Sequence, residues 1–130
     1  MVGDSAELVA KILKNVPRDK LVFAYLDAHW LDAIPTNQEI KHLIEWGGDW
    51  VAVIDDFLIA SDPGYKFDSY GDKVIGLGII PQNSELQVWI PRESSDLETG
   101  VRSGTGYVFS SAALAEGFPE NVFRNLTRVR

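Results

Sequence analysis

The chain has 130 residues, 45% of them hydrophobic and 24% charged. That is enough for one domain with a sizeable core and ordinary for a soluble globular protein. Its net charge of −7 argues against gripping nucleic acid or an anionic membrane through a general positive field. The lack of cysteine excludes disulfides, thiolate zinc sites and a cysteine nucleophile. No apolar run approaches the ~20 residues of a membrane span. The opening MVGDSAELVAK carries an early acid and no apolar core, so it does not read as a secretory signal, and a cytoplasmic location is the expectation.

Residues 4–16 read as a helix, with Leu8, Val9, Ile12, Leu13 and Val16 on one face. Asp4 is its expected N-cap, with Glu7 in the capping-box position. VPRDK (16–20) is a turn. LVFAYL (21–26) is a continuous apolar run, as expected of a strand buried on both faces in a parallel sheet. DAHWLDAIP (27–35) is a loop. Thr36 and Glu39 form a second capping-box signal, opening a helix that turns Ile40, Leu43, Ile44 and Trp46 inward. GGD (47–49) ends it, and WVAVI (50–54) is a second buried strand. Helix, strand, helix, strand is βαβ logic.

After Asp56 the pattern changes. SDPGYKFDSYGD (61–72) is a loop rich in turn residues. KVIGLGII (73–80) fits a short helix or a strand. LQVWI (86–90) and GYVFS (106–110) read as strands, separated by a long polar loop over 91–105. Residues 111–117 and 119–128 read as short helical pieces. Nothing divides the chain, so residues 1–130 are expected to form a single domain.

Both early strands end in carboxylates, at Asp27 and at Asp55 with Asp56. Neighbouring parallel strands lie ~4.8 Å apart. If these two are adjacent, the three acids converge at the carboxyl edge of the sheet, where open α/β sheets bind ligands. Close carboxylates repel one another unless a cation neutralises them, and oxygen-only ligands suit Mg²⁺ or Ca²⁺. His29, two residues past Asp27, could join them or act as a base. The bland alternative is that aspartate at a strand end is a turn former. His42 falls mid-helix on a polar face with no evident role. Asp62, Asp68 and Asp72 read as a solvated loop.

The order GDS, helix, apolar strand, LDAHW, capped helix, apolar strand, IDDF, then DPGYKFDSYG and ETGVRSG resembles the carboxyl-terminal half of a class I S-adenosylmethionine-dependent methyltransferase. The spacing of Leu26-Asp27, His29 and Trp30 against the acidic pair is similar to catechol-type O-methyltransferases. GYKFDSYG and ETG resemble a bacterial methyltransferase-like family. The resemblance implies an α/β, partial Rossmann-like fold. Its strands would be 4-5-7-6 with flanking helices, lacking the first three strands of a sheet ordered 3-2-1-4-5-7-6. It also implies that Asp4 and Ser5 lie against the adenine of the methyl donor. Asp27, Asp55 and Asp56 would form a Mg²⁺ site, or a site for another hard divalent cation. Where the catechol-type enzymes carry a basic lysine after the tryptophan, this chain has Leu31, which leaves His29 as the candidate base.

The Gly-rich loop that cradles the donor's methionine portion in that family has no counterpart. None of the 11 glycines forms a GxGxG after a first strand, and GLG at 76–78 opens no clear helix. Without the first three strands, strand 21–26 would be an exposed apolar edge. The chain would then dimerise through that edge, dock on a missing half, or be a truncated product. Three functions follow. The first is metal-assisted O-methyl transfer from S-adenosylmethionine to a small hydroxyl acceptor, with Tyr65, Phe67 and Tyr70 lining the acceptor pocket and little or no activity alone. The second is a metal-dependent hydrolase in which the carboxylates and His29 activate water. The third is a non-enzymatic remnant or interaction module that binds a partner by strand addition.

Overall fold

The computed structural model describes residues 4–28 and 34–130. Helix α1 (Ser5–Leu13) starts where expected, because the Asp4 carboxylate accepts from the Glu7 N–H at 3.2 Å. Strand β1 (Val22–Leu26), helix α2 (Thr36–Trp46) and strand β2 (Trp50–Ile54) follow. The start of α2 departs from the capping-box expectation. Pro35 is the cap residue and no side chain caps the helix. Thr36 is instead the first helical residue, buried with its hydroxyl unsatisfied. The helix ends on Gly47 at φ 74°, a left-handed turn that glycine makes without Cβ strain.

The second half is more irregular. Strands β3 (Ser69–Tyr70) and β4 (Lys73–Val74) form a hairpin about Gly71, and a 3₁₀ turn spans Leu77–Ile79. The segment 73–80 is thus neither one helix nor one strand. Gly76 packs so close to Leu58 that a Cβ would meet its side chain at 3.2 Å. Strands β5 (Gln87–Pro91) and β6 (Gly106–Phe109) and helices α3 (Ala112–Gly117) and α4 (Glu120–Phe123) complete the chain with β7 (Leu126–Arg128). That last strand corrects the reading of 119–128 as wholly helical. Its three residues pair with Trp89–Pro91, and so short an edge strand has no periodicity to detect.

One five-stranded mixed sheet in the order β1-β2-β6-β5-β7 organises the domain. β1 and β2 are parallel, while β6 runs antiparallel to both β2 and β5. The four strands expected from the sequence therefore lie in the expected order, with β7 added outside β5. Alternation across the sheet divides the core. Trp50, Ala52, Ile54, Val88 and Val108 face α2 and the 57–80 segment, joining Ile40, Leu43, Trp46, Phe57 and Ile75. Val51 and Phe109 face the other way, under Ala115, Phe118 and Phe123 of the α3–α4 layer. β1 corrects the expectation of burial on both faces. It lies at the sheet edge, with Leu26 buried but Leu21, Phe23 and Tyr25 exposed.

Candidate functional site

The parallel register places Leu26 beside Ile54, so both chains leave the sheet at the same level. Asp55 donates its N–H to the Leu26 carbonyl at 3.2 Å, extending the pairing by one step. Consecutive extended residues would send Asp55 and Asp56 to opposite faces. Instead Asp56 takes φ 50°, the one left-handed non-glycine residue among those described. Aspartate tolerates that region better than most residues. The reversal turns both carboxylates to one rim, where the Asp56 N–H donates to Asp55 Oδ1 at 3.0 Å.

Asp27, Asp55 and Asp56 each offer a carboxylate oxygen, and these oxygens lie within 4.8 Å of one another. Two donors on a single hard cation, bonded at about 2.0–2.6 Å, are separated by at most about 4–5 Å. The trio therefore fits one such ion in both spacing and donor type. Asp27 is exposed, and Asp55 and Asp56 are half-buried, which leaves the site open on one side.

Neighbouring hydroxyls orient two of the acids. Tyr25 donates its phenol to Asp55 Oδ2 at 2.7 Å, and the Ser103 hydroxyl donates to Asp56 Oδ1. The hydrogen bond to Asp55 pushes the Tyr25 phenol up to about 12; desolvation and the charges of Asp55, Asp27 and Asp56 add to the effect. Ser103 is placed by a local ladder between loops. Lys66 donates its N–H to Arg102 O at 2.6 Å, Gly104 donates to Lys66 O at 2.8 Å, and Phe57 donates to Gly104 O at 2.8 Å. Gly104 allows that approach, because a Cβ there would overlap the Phe57 carbonyl. Asp68, read from sequence as part of a solvated loop, belongs to the same periphery. Its N–H donates to Asp56 O at 3.0 Å, and its carboxylate accepts from Tyr70 OH at 3.0 Å.

The remaining candidates are distributed as follows. His29 lies outside the described residues, as does Leu31. Asp4 is exposed and engaged in capping α1. Ser5 lines an apolar groove of about 330 Å³ with Leu8, Ile12, Ala24, Tyr25 and Ala28, so the groove reaches the carboxylate rim through Tyr25. Tyr65 is buried in the core, and its hydroxyl donates to the Glu93 carbonyl at 3.1 Å. Tyr25 and Ser103 had no sequence signal, because their partners lie 30 and 47 residues away. Comparison with family models, curated proteins and solved structures finds no match. Among the described residues no helix is long and apolar enough to cross a membrane.

Proposed function

We propose that the chain is a methyltransferase-type α/β domain of the Rossmann-like class carrying a divalent-cation site, acting on a small hydroxyl acceptor. The observation that carries this reading is the convergence of Asp27, Asp55 and Asp56 at the carboxyl edge of two parallel strands. The strand order β1-β2-β6-β5, with β6 antiparallel, supports it, since that is the 4-5-7-6 arrangement of the resembled half-domain.

Asp27, Asp55 and Asp56 would hold Mg²⁺ or Ca²⁺, and the ion would supply positive charge that favours the ionised form of an acceptor hydroxyl. Tyr25 and Ser103 act through the carboxylates: their hydroxyls fix the rotamers of Asp55 and Asp56, the usual role of groups behind a metal ligand. The open side of the rim, flanked by Tyr70 and Asp68, admits a small polar acceptor. The residues present fit the donor poorly. Asp4 is engaged at its helix cap, and only Ser5 borders the groove beside β1. S-adenosylmethionine would therefore need binding elements that the described residues do not supply.

Calorimetric titration of the whole chain tests the reading. Mg²⁺ is expected to bind at one site and to be lost in Asp55→Asn/Asp56→Asn, while S-adenosylmethionine binds weakly or not at all. Failure of both Mg²⁺ and Ca²⁺ to bind would overturn the metal site. Tight donor binding by this chain alone would overturn the assignment of the donor elements elsewhere.

A further inference from the structure

Strand β1 carries a second feature, its free edge, whose far end abuts the carboxylate rim. It pairs only with β2 among the described residues. In a parallel pair, residues alternate between turning both backbone groups toward the neighbour and turning both away. Val22 donates to Asp49 O at 2.9 Å, and Leu26 accepts from Asp55 at 3.2 Å. Val22, Ala24 and Leu26 therefore face inward, which leaves the N–H and C=O of Leu21, Phe23 and Tyr25 along the free edge. Val22–Leu26 contains no charge and no proline, the usual devices that blunt such an edge.

The side chains there are also uncovered. Phe23 is 68% exposed, Tyr25 59%, Leu21 53%, and Ile12 of α1 52%. The α3–α4 layer covers Val51 and Phe109 but stops short of β1. The two ends of the edge differ in charge. Arg18, Asp19 and Lys20 precede it, with two cations to one acid, and Asp27 follows it beside Asp55 and Asp56.

We propose that this edge pairs antiparallel with the same edge of a second copy of the chain, about a two-fold axis at Ala24. Side chains directly opposite in an antiparallel pair share a face, so self-pairing must centre on a residue. Centring on Ala24 sets Phe23 of one copy against Tyr25 of the other, an aromatic cross-strand pair in which both residues turn their backbone groups to the partner. Leu21 then meets Asp27, and Lys20 of each copy lies at the acidic end of the other. A parallel pairing would bring like ends together. The contact between Lys20 and its own Asp19, at 3.6 Å with both exposed, is too weak to hold the lysine back.

The exposed parts of Phe23, Tyr25, Leu21 and Ile12 amount to roughly 450 Å² per copy on ordinary aromatic areas. Doubled, and with strand backbone added, this approaches the lower limit of about 1,200 Å² for specific interfaces. The dimer is therefore weak and concentration-dependent. It joins two sheets into one and adds a lysine of the second copy to each carboxylate rim.

Sedimentation equilibrium of the whole chain over a wide concentration range tests this. The expected result is a monomer–dimer equilibrium. Phe23→Lys, at an exposed position, should abolish it while leaving the circular dichroism spectrum and melting temperature near those of the parent chain. Lys20→Glu should weaken association roughly tenfold, because the two-fold axis counts each lost pair twice, and Lys20→Glu/Asp27→Lys should restore it. A monomer at all concentrations would overturn the proposal, as would a dimer indifferent to Phe23→Lys. Loss in Lys20→Glu without recovery in the charge swap would overturn this register.

Discussion

Asp55 illustrates how one side chain serves both local structure and the candidate site. One of its oxygens accepts from the next residue's N–H, the other from the Tyr25 phenol. Because the phenol is held neutral by that bond, its folded value of about 12 lies above the ordinary 10.0. The bond contributes fully below pH 10 and is lost as the pH rises from 10 to about 12. The other three tyrosines are also pushed upward, chiefly by burial. A spectrophotometric titration should therefore begin above the usual phenol range. A step near pH 12 should be missing in Tyr25→Phe and should move down toward 10 in Asp55→Asn. A step near pH 12 unchanged in Asp55→Asn would show that the carboxylate does not hold the proton on Tyr25.

Between elements, the 57–68 and 93–105 segments support the rim with one 3₁₀ turn, Ser95–Leu97, as their regular structure. Asp62 joins them, accepting from Ser95 N–H at 2.7 Å, Ser95 Oγ at 2.9 Å and Gly64 N–H at 2.9 Å. The Ser95 and Gly64 bonds hold its carboxyl below the usual carboxylate value of 3.8. The depressed value means that this contribution is present above pH 3.8 and fades as the pH falls through the lower folded value. Asp62→Ala should lower the melting temperature at neutral pH and lose less further stability on acidification than the parent chain. Gly104→Ala should cost about 1–3 kcal/mol, because its Cβ overlaps the Phe57 carbonyl and must move the strand-end segment. Urea unfolding would measure that loss, and a neutral result would mean that the ladder behind Ser103 yields easily. Little of this was legible in the sequence. The three acids were legible because they end uniform apolar runs, β2 because it is such a run, α1 because its apolar residues fall at helical spacing, and β5 and β6 as short apolar runs between polar loops. The cross-loop bonds join residues 28 or more positions apart, and no local pattern encodes them. Thr36 misled for a related reason: tertiary packing draws it into the core, where it cannot cap its own helix.

At the scale of the whole chain, a net charge of −7 and three acids gathered at one rim set two opposing expectations for ions. Any salt screens the general self-repulsion. A divalent cation bound by Asp27, Asp55 and Asp56 would do more, because it binds the folded arrangement and not the unfolded chain. At a free concentration of a hundred times Kd it would stabilise the fold by about 2.7 kcal/mol. For a domain of this size that corresponds to a rise in melting temperature of roughly 10 °C. The comparison has to be made at matched ionic strength, with NaCl replacing MgCl₂ or CaCl₂. The expected result is a rise with the divalent salt alone, reversed by chelator and absent in Asp55→Asn/Asp56→Asn. An equal rise with NaCl would reduce the effect to screening. A rise that survives the double substitution would place the ion elsewhere on the acidic surface and leave the rim as a turn whose charges are simply solvated.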